Sequence, residues 1–210
     1  MSTDDDSIGR LPGDDSIGRL PGDPAPWKVL SREYLSRKLW YTVRVDKVEL
    51  ANGTVIPEYW ISEYPPWVNV VALTADDRVV LIRQYRHGIG QVHYEIPAGT
   101  TDPEDTSLEE AARRELREET GYSGGRWSKL MTLSANPALQ NNLTHTFLAE
   151  GVTLDGPAAP EASEEITVHL VPLAEIESLI DRGGFLQALH TAPLMRLLLR
   201  RRRAQRGSDG

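Results

Sequence analysis

Three observations in the sequence predict an α/β fold. Short β-branched and aromatic runs recur between turn signals through residues 40–96 and again through 127–171. One amphipathic helical pattern, closed by Gly121, sits between those two groups. Two further helical stretches, 173–181 and 185–203, follow the last strand-like run. With 210 residues and 40% hydrophobic content, the chain can bury one domain-sized core. No apolar run approaches the ~20 residues that a membrane helix needs, and the acidic N-terminus does not read as a signal peptide. The absence of cysteine excludes a disulfide framework and a thiol nucleophile. These features predict a soluble cytoplasmic protein with no membrane partner. A net charge of −8 argues against broad nucleic-acid binding. It leaves room for a nucleotide, because local arginines bind phosphate within an acidic protein.

Taken in order, the chain opens on a tandem copy of DDSIGRLPG at residues 5–13 and 14–22. So short a unit, rich in Gly, Pro and Asp, has little to bury, and residues 1–26 are expected as a disordered arm. Residues 27–66 carry N-terminal strands. Trp40 to Leu50 alternates in part, Asn52-Gly53 signals a hairpin, and Thr54 to Tyr64 returns. Trp60 is expected to pack on a sheet face, whereas Trp67, after Pro65-Pro66, offers a flat indole for stacking on a nucleobase.

The main domain is expected over residues 67–195. Val68 to Thr74 and Arg78 to Tyr85 read as buried strands joined at Asp76-Asp77. At the end of the second, Arg83 and Arg86 are candidate diphosphate clamps, since a guanidinium fork matches phosphate oxygens. Val92 to Ile96 leads into Pro97-Ala98-Gly99. Glu95 on that strand is a candidate for substrate contact or for a structural salt bridge. Beyond the central helix, strands are expected at Trp127–Leu133, Thr144–Ala149 and Ile166–Val171. The amides of the intervening 134–142 segment suit either hydrogen bonds to a sugar or base, or capped turns. Residues 196–210, with arginines at 200–203, read as a solvated basic tail.

The central helix carries the chemistry. It is expected to start at Asp105, Thr106 or Ser107, with Glu109 and Glu110 at capping-box spacing. On a wheel of about 100° per residue, Leu108, Ala111, Ala112 and Leu116 form an apolar arc. Glu115 and Glu119 fall in the middle of that arc and Glu118 at its edge, while Glu109, Glu110, Arg113 and Arg117 face solvent. A carboxylate aimed at a core must neutralise, pair with a cation or bind a metal. Hard oxygen ligands beside a glycine loop suit Mg²⁺ or Mn²⁺, and the Ala98 carbonyl is free to face them.

Arg114-Glu115-Leu116-Arg117-Glu118-Glu119-Thr120-Gly121-Tyr122 resembles the second half of the Nudix box, and Gly99 matches its leading glycine. One departure stands out. The interval from Gly99 to Arg114 is one residue longer than the family's, so Asp105 or Thr106 stands where the first box glutamate belongs. Glu104 and Asp105 are both candidates to replace it. The resemblance implies the Nudix fold, a mixed sheet between helices in an α/β/α sandwich, here with an extra N-terminal β-hairpin. It is similar to the nucleoside diphosphate sugar branch of ADP-ribose pyrophosphatase-like enzymes, which implies a homodimer with contacts through the N-terminal strands.

The implied reaction is Mg²⁺-dependent hydrolysis of a nucleoside diphosphate sugar, with Mn²⁺ as a substitute. ADP-ribose would give AMP and ribose 5-phosphate, and GDP-mannose is a second candidate. Glu115, Glu119 and the Ala98 carbonyl would hold the metal, Glu118 would be a third ligand or orient metal-bound water, and Arg114 would fix the glutamates. A glutamate of the later loop, Glu161 or Glu164, would activate water. Other nucleoside diphosphate derivatives, triphosphates, a non-catalytic nucleotide sensor and a purely structural helix stand as alternatives.

Overall fold

The computed structural model describes residues 20–38 and 41–208. Most of the repeated arm, and Trp40, lie outside the described residues. The chain divides into two compact units. Residues up to Pro65 join Asn136–Leu143 in one, and Pro66–Ala135 join Thr144 onward in the other.

The first unit is an antiparallel sheet of β1 (Lys28–Lys38), β2 (Tyr41–Glu49) and β3 (Val55–Glu63), in that order. The Asn52-Gly53 turn forms as expected, with the Asn52 side-chain oxygen accepting from the Thr54 N–H at 3.0 Å. The hairpin gains a third strand, β1. Its register shifts at Val29/Ser31 and Tyr34/Ser36, and such bulges erase the two-residue alternation that would have marked it in the sequence. Asp46, 2% exposed, ion-pairs with Arg32 and Arg44. The Asn136–Leu143 segment belongs to this unit as capped turns. The Asn136 side chain accepts from the Ala138 N–H, Asn141 accepts from the Tyr64 N–H, and Asn142 donates to the Pro65 carbonyl. Those amide contacts are to backbone.

The second unit is built on a mixed sheet. Its elements are β4 (Trp67–Thr74), β5 (Arg78–Arg86), β6 (Gln91–Glu95), β7 (Ala98–Thr100), α1 (Leu108–Thr120), β8 (Tyr122–Ser123), β9 (Arg126–Leu133), β10 (Thr144–Leu154), β11 (Ile166–Pro172), α2 (Ile176–Asp181) and α3 (Ala188–Ser208). The strand order is β11-β5-β4-β10-β8, with β6 on β5, β7 on β4 and β9 on β10. β4 and β10 run parallel, and the other pairs are antiparallel.

Strand alternation explains the sandwich. Val68, Val70 and Ala72 of β4 pack with Ala111, Ala112 and Leu116 of α1. Val71 and Leu73, one residue out of phase, pack with Ile176 of α2 and with Leu194 and Leu197 of α3. A strand covered on both faces reads as a continuous apolar run, as β4 and β5 do. The α/β/α arrangement is therefore the one expected. The helical stretch expected over 185–203 forms and extends further into the basic segment. With Leu194 and Leu197 anchoring one face, α3 runs on through residues 196–208, and Arg201 pairs with Asp77 and Glu150 at 3.3 Å.

Ser107 caps α1, accepting from the Glu110 N–H at 3.1 Å, while the Glu110 carboxylate reaches back to the Thr106 N–H at 2.9 Å. Gly121 ends it in the left-handed region at φ 75°, returning its N–H to the Arg117 carbonyl. A Cβ there would overlap the Gly156 carbonyl oxygen, whereas Gly124, at φ 73°, faces open space. Both Gly→Ala changes bear the left-handed backbone cost of about 1 kcal/mol. Gly121→Ala also bears the overlap, so urea unfolding should show it losing at least twice as much stability as Gly124→Ala. Equal losses would mean that the helix stop is not tightly packed.

Candidate active site

Three elements of the second unit converge on one set of charges. α1 presents Glu115, Glu118 and Glu119, β7 presents its backbone at Ala98–Gly99, and the β5–β6 pair presents Arg86 and Glu95. The helical wheel held. Glu115 and Glu119 are buried alongside Ala111, Ala112 and Leu116.

The Glu119 Oε2 accepts the Ala98 N–H at 2.9 Å, and its Oε1 is buried with no hydrogen-bond partner. An unpaired buried carboxylate oxygen is costly and calls for an explanation. Glu115 lies so close to the glycine loop that a Cβ on Gly99 would overlap its carboxyl group. That approach is why the position needs glycine. Burial pushes the Glu115 carboxyl up to about 7, against the lowering effect of Arg114. Burial likewise holds Glu119 well above the ordinary carboxylate range, opposed by the Ala98 N–H and reinforced by the charges of Glu115, Glu164 and Glu95. Burial thus opposes the ionised form of both groups.

The donor set fits a divalent ion. In an extended strand the N–H and C=O of one residue point to the same edge. The Val70 N–H bonds the Pro97 carbonyl, so Ala98, one residue on, turns its polar groups away from β4. Its N–H meets Glu119, which puts its carbonyl on the side of the helix carboxylates. The pieces present are an oxygen without a partner, two carboxyls that gain by meeting a cation and a carbonyl facing them. Among the described residues, no three acidic or histidine side chains have already closed to ligand distance of one point.

Arg114 stands at the rim. Its Nε and Nη2 donate to the two oxygens of Asp105 at 3.2 and 3.1 Å, and Nη2 also donates to the Thr100 carbonyl at 3.0 Å. Its Nη1 donates to Glu115 at 2.9 Å and Glu118 at 3.0 Å. A guanidinium has five N–H groups, and these five bonds use them all. Arg114 therefore fixes glutamates.

Arg86 and Glu95 form a second anchor. Arg86 donates through Nε and Nη2 to the Glu95 carboxylate at 2.7 and 2.5 Å. Glu95 is fully buried and also meets His93 at 3.4 Å and His190 of α3 at 3.3 Å. Of the two roles open to Glu95, the structure places it in the salt bridge. Arg86 keeps 43% of its side chain exposed, and the charges of Glu119 and Glu164 reach it. Its inner edge is committed to Glu95 and its outer edge is open.

The remaining candidates divide. Glu164 acts electrostatically on Glu115, Glu119 and Arg86, and its carboxylate accepts the Glu161 N–H at 3.1 Å. Glu161 contributes that backbone group to the turn. Trp67 opens β4, half-buried and opposite Thr100, beside the glycine loop. Arg83 is not brought to the carboxylates. Its guanidinium lies 5.1 Å over the ring of Tyr94, which packs with the α2/α3 cluster on the far face of the sheet. Strand alternation turned it away from the α1 side, because Val80 faces α1 while Val79 and Leu81 face α3. Sequence reasoning missed His190 and His93. A lone histidine in a helix or strand carries no pattern that points to a buried carboxylate.

Glu95 gives a pH signature. Burial raises its pKa, but the bonds from Arg86 and His190 and their charges outweigh that and hold it at about 2, below the ordinary 4.5. A depressed folded value means stability that is fully present above pH 4.5 and lost as pH falls toward 2. Glu95→Gln lacks this contribution. Its stability gap from the wild type should be about 3 kcal/mol at neutral pH and shrink through that acid window. A gap that does not change with pH in denaturation curves would show that the ion pair is not what stabilises this corner.

Comparison with known proteins agrees with this geometry. The NUDIX domain model matches residues 63–189, and the nucleoside diphosphate sugar hydrolase N-terminal domain matches residues 27–60. The chain is 26% identical over 170 residues to an ADP-ribose pyrophosphatase of Mycobacterium tuberculosis, covering 80% of this chain and 82% of that one. It is 29% identical to an ADP-ribose pyrophosphatase of Bacillus subtilis, over 73% of this chain and 83% of that one. A methanol dehydrogenase activator of Bacillus methanolicus is 33% identical, over 65% and 72%. Among solved structures, an ADP compounds hydrolase superposes with a TM-score of 0.75 at 25% identity, over 89% of this chain and 97% of that one. With its box on α1, its glycine loop on β7 and its sandwich between α1 and α3, this chain belongs to the Nudix family.

Proposed function

We propose that this protein is a Mg²⁺-dependent pyrophosphatase that cleaves the diphosphate of a nucleoside diphosphate sugar, with ADP-ribose the first substrate to test. The observation that carries the reading is the buried Glu115–Glu119 pair, in which Glu119 bonds the Ala98 N–H through one oxygen and leaves the other buried without a partner. The match of residues 27–60 to a nucleoside diphosphate sugar hydrolase domain, and the names of two relatives, support the substrate class. Hydrolysis of ADP-ribose at its diphosphate yields AMP and ribose 5-phosphate. GDP-mannose is the second candidate.

Glu115, Glu119 and the Ala98 carbonyl would hold the ion, with Glu118 completing the set. A divalent ion at this place supplies Lewis-acid neutralisation of the diphosphate and lowers the pKa of water. The chain's own groups do the rest. Arg86, clamped by Glu95, offers its open edge to a phosphate oxygen and orients the anhydride. Glu164 accepts the proton of the attacking water, held by the Glu161 N–H and facing the same charges. Arg114 keeps Glu115 and Glu118 in place and touches no substrate. Trp67, beside the glycine loop, stacks the base.

Incubation with ADP-ribose, GDP-mannose and a triphosphate panel, followed by chromatography, should give AMP or GMP only with Mg²⁺ or Mn²⁺. Glu119→Gln should lower turnover by at least about 100-fold while leaving the fold intact by circular dichroism. Unchanged turnover in that variant would remove Glu119 from the metal site.

We read the working state as a homodimer through the N-terminal sheet. Leu35, Tyr41, Val55 and Trp60 of that sheet are large, apolar and exposed, as a surface that meets a second copy would be. Light scattering should return twice the chain mass, and Trp60→Glu with Val55→Glu should halve it. A monomeric wild type at micromolar concentration would discard this assembly.

A further inference from the structure

The structure assigns the role left vacant by the missing box glutamate to Asp105, as the residue that locks Arg114 and through it positions the metal-site glutamates. This assignment rests on the metal-site reading above. Counting from the two ends of the box puts Asp105 and Thr106 in competition for that place, with Glu104 a third candidate. Geometry separates them. Asp105 grips the side of the Arg114 guanidinium with both oxygens, at 3.2 Å to Nε and 3.1 Å to Nη2. Thr106 instead hydrogen-bonds the Glu110 carboxylate through its N–H and hydroxyl, outside the site.

The loop makes this grip possible. Asp105 returns one carboxylate oxygen to the Asp102 N–H at 2.7 Å, and its own N–H bonds the Asp102 carbonyl at 3.1 Å. The segment from Thr100 to Asp105 thus closes around Arg114, with the Thr100 carbonyl taking a third N–H. An aspartate is one methylene shorter than a glutamate. The Asp105 side chain is only 7% exposed, so its bidentate bond is shielded from water and worth more than a surface pair. Arg114 then has Nη1 alone for Glu115 and Glu118, and that fork sets both carboxylates. Without Asp105, Arg114 is free to swing onto Glu115 and Glu118 side-on and neutralise the oxygens an ion needs.

Asp105 is a positioning residue, so its test reads metal binding as well as rate. Mn²⁺ binding to the full chain is measured by electron paramagnetic resonance, alongside kcat and KM for ADP-ribose and thermal unfolding in chelator. Asp105→Asn keeps the shape and should weaken Mn²⁺ binding and lower kcat by roughly 10- to 100-fold, with KM little changed. Asp105→Glu, which keeps the charge, should recover most of both. Thr106→Ala should leave both near the wild type. Asp105→Asn that binds Mn²⁺ and turns over like the wild type would overturn the assignment. So would an Asp105→Glu variant as impaired as Asp105→Asn, since the charge would then not be what matters. A wild-type chain that binds no Mn²⁺ and hydrolyses nothing would overturn the metal-site reading itself, and this assignment with it.

Discussion

Everything about the site follows from two carboxylates placed where a helix packs on a sheet. Glu115 and Glu119 occupy the apolar arc of α1, among alanines and a leucine that are completely buried. Carboxylates there are desolvated by the same packing that stabilises the sandwich. The surrounding groups answer that constraint. Gly99 lets the backbone come close enough to lie against Glu115, the Ala98 N–H satisfies one oxygen of Glu119, and Arg114 compensates Glu115 from the side. One oxygen is left over. The site is built to be completed by a cation.

Two guanidinium clamps set the shape of the opening, and they differ in what they leave available. Arg114 is saturated, with each N–H committed to the loop or to the helix glutamates. Arg86 is half committed, its inner edge locked on Glu95 and its outer edge exposed. In the proposed reading the saturated arginine organises the glutamates and the half-committed one meets substrate. The same chemistry in two states of occupancy gives two roles. Glu95 carries the second clamp across the sheet to His190 of α3, so the long C-terminal helix supports the site from the face opposite α1.

Much of this was legible beforehand, because helical periodicity and local capping are short-range. Ser107, Glu110 and Gly121 mark both ends of α1, and the wheel alone brings Glu115 and Glu119 to the buried side. The continuous apolar runs of β4 and β5 announced strands covered on both faces. The third N-terminal strand was hidden by its bulges.

What the sequence by itself determined is the fold class, the catalytic helix and the family of chemistry, since each depends on patterns within a few turns of chain. Only the tertiary structure decided the partners. It turned Arg83 onto Tyr94 and gave Glu95 to Arg86 and two histidines. It also chose Asp105 over Thr106 for Arg114. Those choices turn on which face of a strand a residue takes and how far a loop reaches. Neither is encoded in local spacing, because a one-residue change inverts a strand's faces and a side-chain bond of about 3 Å tolerates no such error.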